Sequence, residues 1–239
     1  MKKSLCFLKK QLHCQEKIVK IKAGGRIMDK HERISPAVIR RLPKYYRYLG
    51  ELTKTGINKT SSRELSEMTG FSASQIRQDL NNFGGFGQQG FGYDVENLRN
   101  EIAKILGLDK KYKIIIVGAG NIGQAIANYT GFYEADYEVV ALFDKNPKLI
   151  GLSIRNALIK DIDDLESFLN EEKIDIAVIC TPKSVSQQIA EQVVQCGIRA
   201  IWNFAPKDLK MPEYVHVENV HLNESLFSLT YYYNQMNKE

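Results

Sequence analysis

The sequence predicts an α/β chain with a helical front and a mostly parallel sheet behind it, and three observations carry that prediction. Short, well-capped helices separated by a glycine turn occupy the front and lead into a glycine–aromatic segment. A strand-like run, Lys113-Ile-Ile-Ile-Val117, then passes directly into Gly118-Ala-Gly120-Asn-Ile-Gly123 and an apolar stretch ending at Tyr129. From there to residue 220, strand-like and helix-like segments alternate, the pattern of a parallel sheet wrapped by helices. The combination reads as an N-terminal winged helix-turn-helix domain followed by a Rossmann-type parallel-sheet domain.

The elements follow in chain order. Residues 1–27 are basic, lack a sustained helical or strand period and end in Ala23-Gly-Gly-Arg26, just ahead of Met28. Met28 is expected to be the native start, with 1–28 a disordered extension. Ser35-Pro36 opens the first helix, Ser as N-cap and Pro at the first helical position. Val38, Ile39, Leu42, Tyr45, Tyr46, Leu49 and Leu52 recur along it at amphipathic spacing until Gly56 closes it. Ser61-Ser62 caps a second helix around Glu64–Met68, and Gly70 ends that one. Ser72-Ala-Ser74 caps a third, Gln75–Asn82. Two short helices joined by a tight glycine turn are the helix-turn-helix pattern.

In Phe83-Gly-Gly-Phe-Gly-Gln-Gln-Gly-Phe-Gly-Tyr93, glycines supply tight turning and aromatics anchor the base of a hairpin, a candidate wing. A helix over Val95–Leu106, closed by Gly107, bridges to the strand at Lys113. Later strands are expected at Tyr137–Phe143, Asp175–Cys180, Arg199–Asn203 and His216–Val220, with helices at Asp163–Glu172 and Ser184–Cys196. Leu222–Asn234 reads as a terminal helix with more Leu, Phe and Tyr than a compact sheet would bury, which points to a partner. The expected divisions are 29–107 for the winged helix, 108–220 for the sheet domain and 221–239 for the terminal helix.

Charge separates front from back. Residues 1–29 carry eight basic and two acidic side chains, residues 30–92 ten and five, and residues 93–239 fifteen and twenty-one. The net values of +6, +5 and −6 fit a nucleic-acid reader joined to a unit that does not touch phosphate. A solvated basic surface is the plainer alternative. No run reaches the ~20 apolar residues of a membrane helix. The lysine-rich start lacks the h-region of a secretory signal, so the expected compartment is the cytoplasm. Cys6, Cys14, Cys180 and Cys196 show no CxxC pairing. Cys6, His13 and Cys14 lack a fourth ligand, so no metal site is expected. Cys180 closes an apolar run and reads as a small buried hydrophobe.

Each glycine of the 118–123 turn has a mechanical reason. Gly118 permits the tight turn, Gly120 lets a pyrophosphate approach the backbone, and Gly123 allows helix-on-strand packing. The helix starting at Asn121 offers free N–H groups and a partial positive charge to phosphates. Asp144 ends the next strand about 20 residues on, where a carboxylate accepts from an adenine ribose and repels a 2′-phosphate. Gly118, Ala119, Gly120, Asn121, Ile122, Gly123 and Asp144 are therefore the candidate NAD-type site. The alternatives are another nucleotide, such as coenzyme A, or no ligand. Thr181-Pro182 follows the next central strand at the ligand edge, although strand-end turns often need such residues anyway.

On the third helix, Arg77 and Gln78 are placed to reach base edges, Arg for guanine and Gln for adenine. Lys59, Ser72 and Ser74 are candidate phosphate contacts. A helical protein-docking module is the alternative. Hydride transfer needs an acid–base group and a domain to hold substrate. Neither is evident, because only one helix follows the sheet domain and none of the four histidines lies in a catalytic motif. A ligand sensor is expected, not an enzyme; an NAD-dependent oxidoreductase or a CoA-binding protein with an accessory N-terminal domain is the rival reading.

From Ile34 to Asn234 the chain resembles the Rex family of redox-sensing transcriptional repressors. Arg40-Arg-Leu-Pro-Lys-Tyr45, Thr60-Ser-Ser62, Arg77-Gln-Asp-Leu80, the 83–93 glycine–aromatic segment, Val117–Gly123 and Asn203-Phe-Ala-Pro206 carry the resemblance. It implies a homodimer that exchanges its C-terminal helices, with NADH and NAD+ competing as regulatory ligands. It further implies that NADH favours an arrangement that no longer fits a palindromic double-stranded operator, which relieves repression of genes for NADH reoxidation. Tyr129 is then near the nicotinamide, and Arg47 takes part in domain closure.

The chain departs from the family pattern at three places. Gln78 replaces a common Lys, Gln88-Gln89 stand where the wing tip often carries basic residues, and His221 replaces an Asp before the last helix. The first two remove phosphate charge, each lowering the salt slope of DNA binding by about 0.9. If residue 221 pairs with Arg47 in the switch, His221 weakens the redox response or makes it pH-sensitive.

Overall fold

The computed structural model describes residues 34–84, 86–88 and 92–237. The expected extension 1–28, and with it Cys6, His13, Cys14 and Met28, lies outside the described residues, as does Gln89.

Helix α1 (Pro36–Lys54) starts where the sequence predicts, with Ser35 Oγ accepting from the Ala37 N–H and Pro in the first turn. A two-residue strand, β1 (Lys59–Thr60), precedes helix α2 (Ser62–Thr69). The start of α2 is a reciprocal capping box. Ser61 Oγ accepts from Glu64 N at 3.2 Å, and Glu64 Oε2 accepts from Ser61 N at 2.7 Å. Donors from Ser61, and after them the Thr60 hydroxyl at 3.2 Å, hold the Glu64 carboxyl below the usual carboxylate range. Gly70 ends α2 in the left-handed conformation (φ 74°), and Ser72 caps helix α3 (Ala73–Asn81). The wing strands β2 (Gly87–Gln88) and β3 (Gly92–Asp94) pair antiparallel, and β1 completes a three-stranded sheet in the order β1-β3-β2. Helix α4 (Val95–Leu106) is capped by Asp94 and closed by Gly107. Leu42, Leu49, Leu65, Ile76, Leu98 and Ile102 lie at the centre of one buried cluster that unites α1–α4.

The second sheet has seven strands. They are β4 (Tyr112–Val117), β5 (Tyr137–Asp144), β6 (Ser153–Ile154), β7 (Ala157–Asp161), β8 (Ile176–Ile179), β9 (Ala200–Asn203) and β10 (His216–Asn219). Their order is β10-β9-β8-β4-β5-β7-β6, parallel throughout except for β6 against β7. Alternate residues of the central strands feed two cores, as the period of two requires. Ile115, Val117, Ala177 and Ile179 pack against α7 (Leu165–Glu171) and α8 (Ser186–Gln195). Ile114, Ile116 and Val178 pack on the other face, with α5 (Asn121–Asn128) and Phe132 of the short α6 (Gly131–Glu134).

Three expectations need correction. The hairpin β6–β7 falls in a stretch assigned no structure from sequence. Its first strand is two residues long, and Leu158, an exposed apolar residue between buried Ala157 and Ile159, hides the alternation. The helix expected over Asp163–Glu172 is a 3₁₀ turn (Ile162–Asp164) followed by α7, because Asp161 caps the turn by accepting from Asp163 N. The helix expected from Ser184 begins at Ser186, after a turn in which Val185 N and Ser186 N donate to Pro182 O.

The terminal helix α9 (Leu222–Met236) buries none of its residues. Leu226, Phe227, Leu229 and Tyr231–Tyr233 are each 56–66% exposed. Among the described residues no helix is long and apolar enough to cross a membrane.

Candidate functional site

The glycine turn lies at the ends of β4, β5 and β8, where the strand order reverses around β4. That is the crevice in which open α/β sheets bind ligands. Hydrogen bonds continue past the strand ends, Gly118 N to Phe143 O and Cys180 N to Val117 O, both 2.8 Å, and hold three loops together. Gly118 has φ 101°, and a Cβ there would sit 2.6 Å from Cys180 O. A Cβ on Gly123 would fall on the Gly118 carbonyl oxygen, so this glycine is demanded by helix-on-turn packing. Gly120 is different. Its φ of −73° is ordinary, and an added Cβ would meet nothing within 4 Å. Folding does not require glycine at 120, and the open space over it leaves room for a ligand to approach the backbone.

Gly120 is also the N-cap of α5 and contributes no capping side chain, which leaves the first-turn amides from Asn121, Ile122 and Gly123 for a phosphate. Asp144 closes the cradle. Its Oδ2 accepts from Ala119 N at 2.7 Å and its Oδ1 from Asn146 N at 2.8 Å, which fixes the carboxylate beside the turn. Thr181 adds a second sign of a ligand: its Oγ1 is buried without any hydrogen-bond partner. An orphaned buried hydroxyl costs about 1–3 kcal/mol until something pairs with it. These residues fit a dinucleotide. Pro182 is exposed beside Thr181. Cys180 is half-buried, and burial pushes its thiol up to about 12, so it stays protonated and unreactive. Tyr129 caps the end of α5 and is exposed, its ring edge-on to Phe132 at 5.1 Å. Phe132 in turn meets Trp202 at 5.8 Å, an aromatic row the sequence reading missed.

On the front domain, Arg77 and Gln78 are exposed on α3, as expected. Arg77 Nη1 donates to Ser62 Oγ at 2.9 Å, which ties its guanidinium to the start of α2. Ser72 Oγ is committed to capping, accepting from Gln75 N at 3.2 Å, so only its proton is left for a phosphate. Ser74 and Lys59 are exposed, Lys59 in register with Asp94. Gln88 lies on wing strand β2, opposite Gly92. The polar centre of this domain was not singled out from sequence. Asp79, fully buried, accepts from Arg41 Nε (2.6 Å) and Nη2 (2.8 Å), Tyr45 Oη (2.7 Å) and Gln75 Nε2 (2.9 Å). Burial works against its charge, but those donors win and hold the carboxyl below its usual range. Burial, followed by the bond to Asp79, drives the Tyr45 hydroxyl the other way.

The two switch candidates make contacts within this chain. Arg47 lies over the Tyr48 ring at 4.5 Å, and His221 Nε2 is 2.9 Å from Asp208 Oδ1. Nearby, buried Asn203 donates to Lys207 O and to Asn219 Oδ1, both at 2.8 Å, and accepts from Ala205 N, which braces the Asn203–Pro206 segment against the end of β10.

Comparison with known proteins agrees with both halves. Residues 109–207 match the family described as CoA binding domain, and residues 33–81 match that described as putative DNA-binding protein N-terminus. The redox-sensing transcriptional repressor Rex of Clostridioides difficile is 60% identical over 201 residues, covering 84% of this chain and 96% of that one. That of Clostridium novyi is 60% identical over 210 residues, 88% and 100% of the two chains. The crystal structure of RSP with β-NAD+ and operator DNA superposes with a TM-score of 0.81 at 56% identity, over 85% of this chain and 94% of that one. RSP with β-NADH gives 0.80 at 53% identity, over 87% and 97%. With its helix-turn-helix front, its glycine cradle and this breadth of identity, the chain belongs to the Rex family of redox-sensing transcriptional repressors.

Proposed function

We propose that the chain is a DNA-binding repressor that reads the NADH/NAD+ balance and turns over neither. The carrying observation is the cradle at Gly120, open where folding needs no glycine and flanked by the Asp144 carboxylate and the unpaired Thr181 hydroxyl. RSP, similar over most of its length, has been crystallised with β-NAD+ and operator DNA and with β-NADH. The mechanism is linkage. NADH must bind the DNA-incompetent arrangement more tightly than the competent one, and its effect on DNA affinity is capped by that difference. Gly118–Gly123 and Asp144 hold the dinucleotide, Thr181 and Pro182 border it, and Tyr129 stands near the nicotinamide. Arg77 and Gln78 read bases, while Lys59, Ser72, Ser74, Gln88 and Gln89 meet the backbone.

The working unit is a homodimer in the cytoplasm, formed by exchange of the terminal helices. In support, α9 exposes its apolar face along its whole length, and Trp202 and Phe204 are only partly buried on the α5 side of the sheet. Palindromic DNA then meets a two-fold protein.

A gel shift against a palindromic, AT-rich duplex, with NADH and NAD+ added separately, tests this reading. NADH should release DNA and NAD+ should not. Coenzyme A is the control ligand, given the description of the family matched by residues 109–207. Release by coenzyme A alone would transfer the site to that ligand, and absence of DNA binding would revive an oxidoreductase.

A further inference from the structure

We propose that Asp79 is a positioning residue for sequence-specific DNA binding: it fixes the reading helix α3 to α1 at one setting, so that Arg77 and Gln78 meet base edges in register. The inference rests on the DNA-binding reading above and adds to it a residue and its task.

Among the described residues, Asp79 is the only acidic side chain that is buried. Its four donors come from two directions. Arg41 and Tyr45, one turn apart on α1, supply three of them, and Gln75, one turn back on α3, supplies the fourth. Stability alone is a poor reason for this arrangement, because apolar residues of similar volume hold helices together as well as a buried ion pair does. The ion pair adds direction. A guanidinium fork meets a carboxylate in one plane with two parallel bonds, which fixes rotation and slide together. Tyr45 extends the anchor to the turn before α3, its ring edge-on to Phe71 at 5.8 Å.

Arg77 and Gln78 are the two residues just before Asp79, and both are exposed. Anchor and readers therefore share one turn of helix, and a slip at the anchor reappears at the base edges. A displacement of roughly 0.5 Å stretches a base hydrogen bond beyond its useful range. Attraction to phosphates tolerates such a shift, being long-range and insensitive to sequence. Gln75 also has its amide held by Asp79, which withdraws it from base reading. The expected signature of a damaged anchor is lost discrimination with retained affinity for any DNA.

The test uses the full chain and a duplex enriched by the wild-type protein from a random-sequence pool, with a scrambled duplex of equal composition beside it. Asp79→Asn and Arg41→Lys should each cut the ratio of selected to scrambled affinity about tenfold. Tyr45→Phe, which keeps its ring in the core, should cut it about threefold. Scrambled-duplex affinity and the far-ultraviolet circular dichroism spectrum should stay at wild-type values. Ratios within about twofold of wild type, with only the melting temperature lowered, would show Asp79 to be structural and overturn the proposal. Should Asp79→Asn not fold, Tyr45→Phe decides alone. A wild-type chain that enriches no duplex would instead refute the DNA-binding reading itself, a result separate from any behaviour of the variants.

Discussion

His221 Nε2 lies 2.9 Å from Asp208 Oδ1, so the residue that precedes α9 is held by a carboxylate of its own chain, from the loop after β9. Asp208 is largely exposed, which keeps the pair weak and open to exchange. His221→Asp would set two carboxylates against each other and release the base of α9. An NADH titration of DNA release should then shift by about threefold from the native curve. Coincident curves would remove residue 221 from the switch.

The glycine turn separates folding from binding. Gly118→Ala forces φ 101° on an alanine with its Cβ 2.6 Å from Cys180 O, and should cost about 2–4 kcal/mol in a thermal melt. Gly120→Ala meets open space at ordinary φ and should change stability by less than about 0.5 kcal/mol. It should nevertheless weaken NADH binding about tenfold or more, because the methyl group occupies the pyrophosphate's approach. Isothermal titration of Gly120→Ala at wild-type affinity would show that the dinucleotide lies elsewhere.

Thr181→Val replaces an unpaired buried hydroxyl by a methyl group of similar shape. The ligand-free variant should be as stable as the native chain or about 1 kcal/mol more so. Dinucleotide affinity should fall about threefold to tenfold, the worth of one hydrogen bond. Unchanged affinity in a fluorescence titration would leave the hydroxyl without a role in binding.

Acid stability should report on Asp79. Its folded value is depressed, so its contribution is fully present above the ordinary carboxylate value near pH 4. It is lost as pH falls through the folded value. Asp79→Asn should be about 2 kcal/mol less stable at pH 7, and the gap should close below about pH 4. Melting curves that stay equally separated from pH 7 to pH 3 would contradict an ionised, stabilising carboxylate.

What the sequence made legible was local. Ser35-Pro36, the Ser61–Glu64 box and Gly70 mark helix ends because the capping groups lie within four residues of what they cap. The glycine turn was legible for the same reason, since its strand, turn and helix are contiguous. The Asp79 centre was not: Tyr45 and Arg41 stand 34 and 38 residues away, and nothing in an exposed-looking Arg-Gln-Asp-Leu run announces a buried acid. The orphaned Thr181 hydroxyl depends on the packing around it, which no spacing encodes. The β6–β7 hairpin escaped because two-residue β6 leaves no period to detect and the apolar run Ala157-Leu-Ile159 of β7 masks its alternation of buried and exposed positions.

In the proposed dimer, the bare face of α9 would make protein concentration part of the signal. Leu226, Phe227 and their neighbours would return to water whenever the two copies part, so dilution would act as a mild denaturant and the melting temperature should climb with the amount present. A cell that changes the copy number of the protein would thereby change the fraction able to answer NADH at all, before any dinucleotide binds. Dosage and redox state would then enter the response as a product.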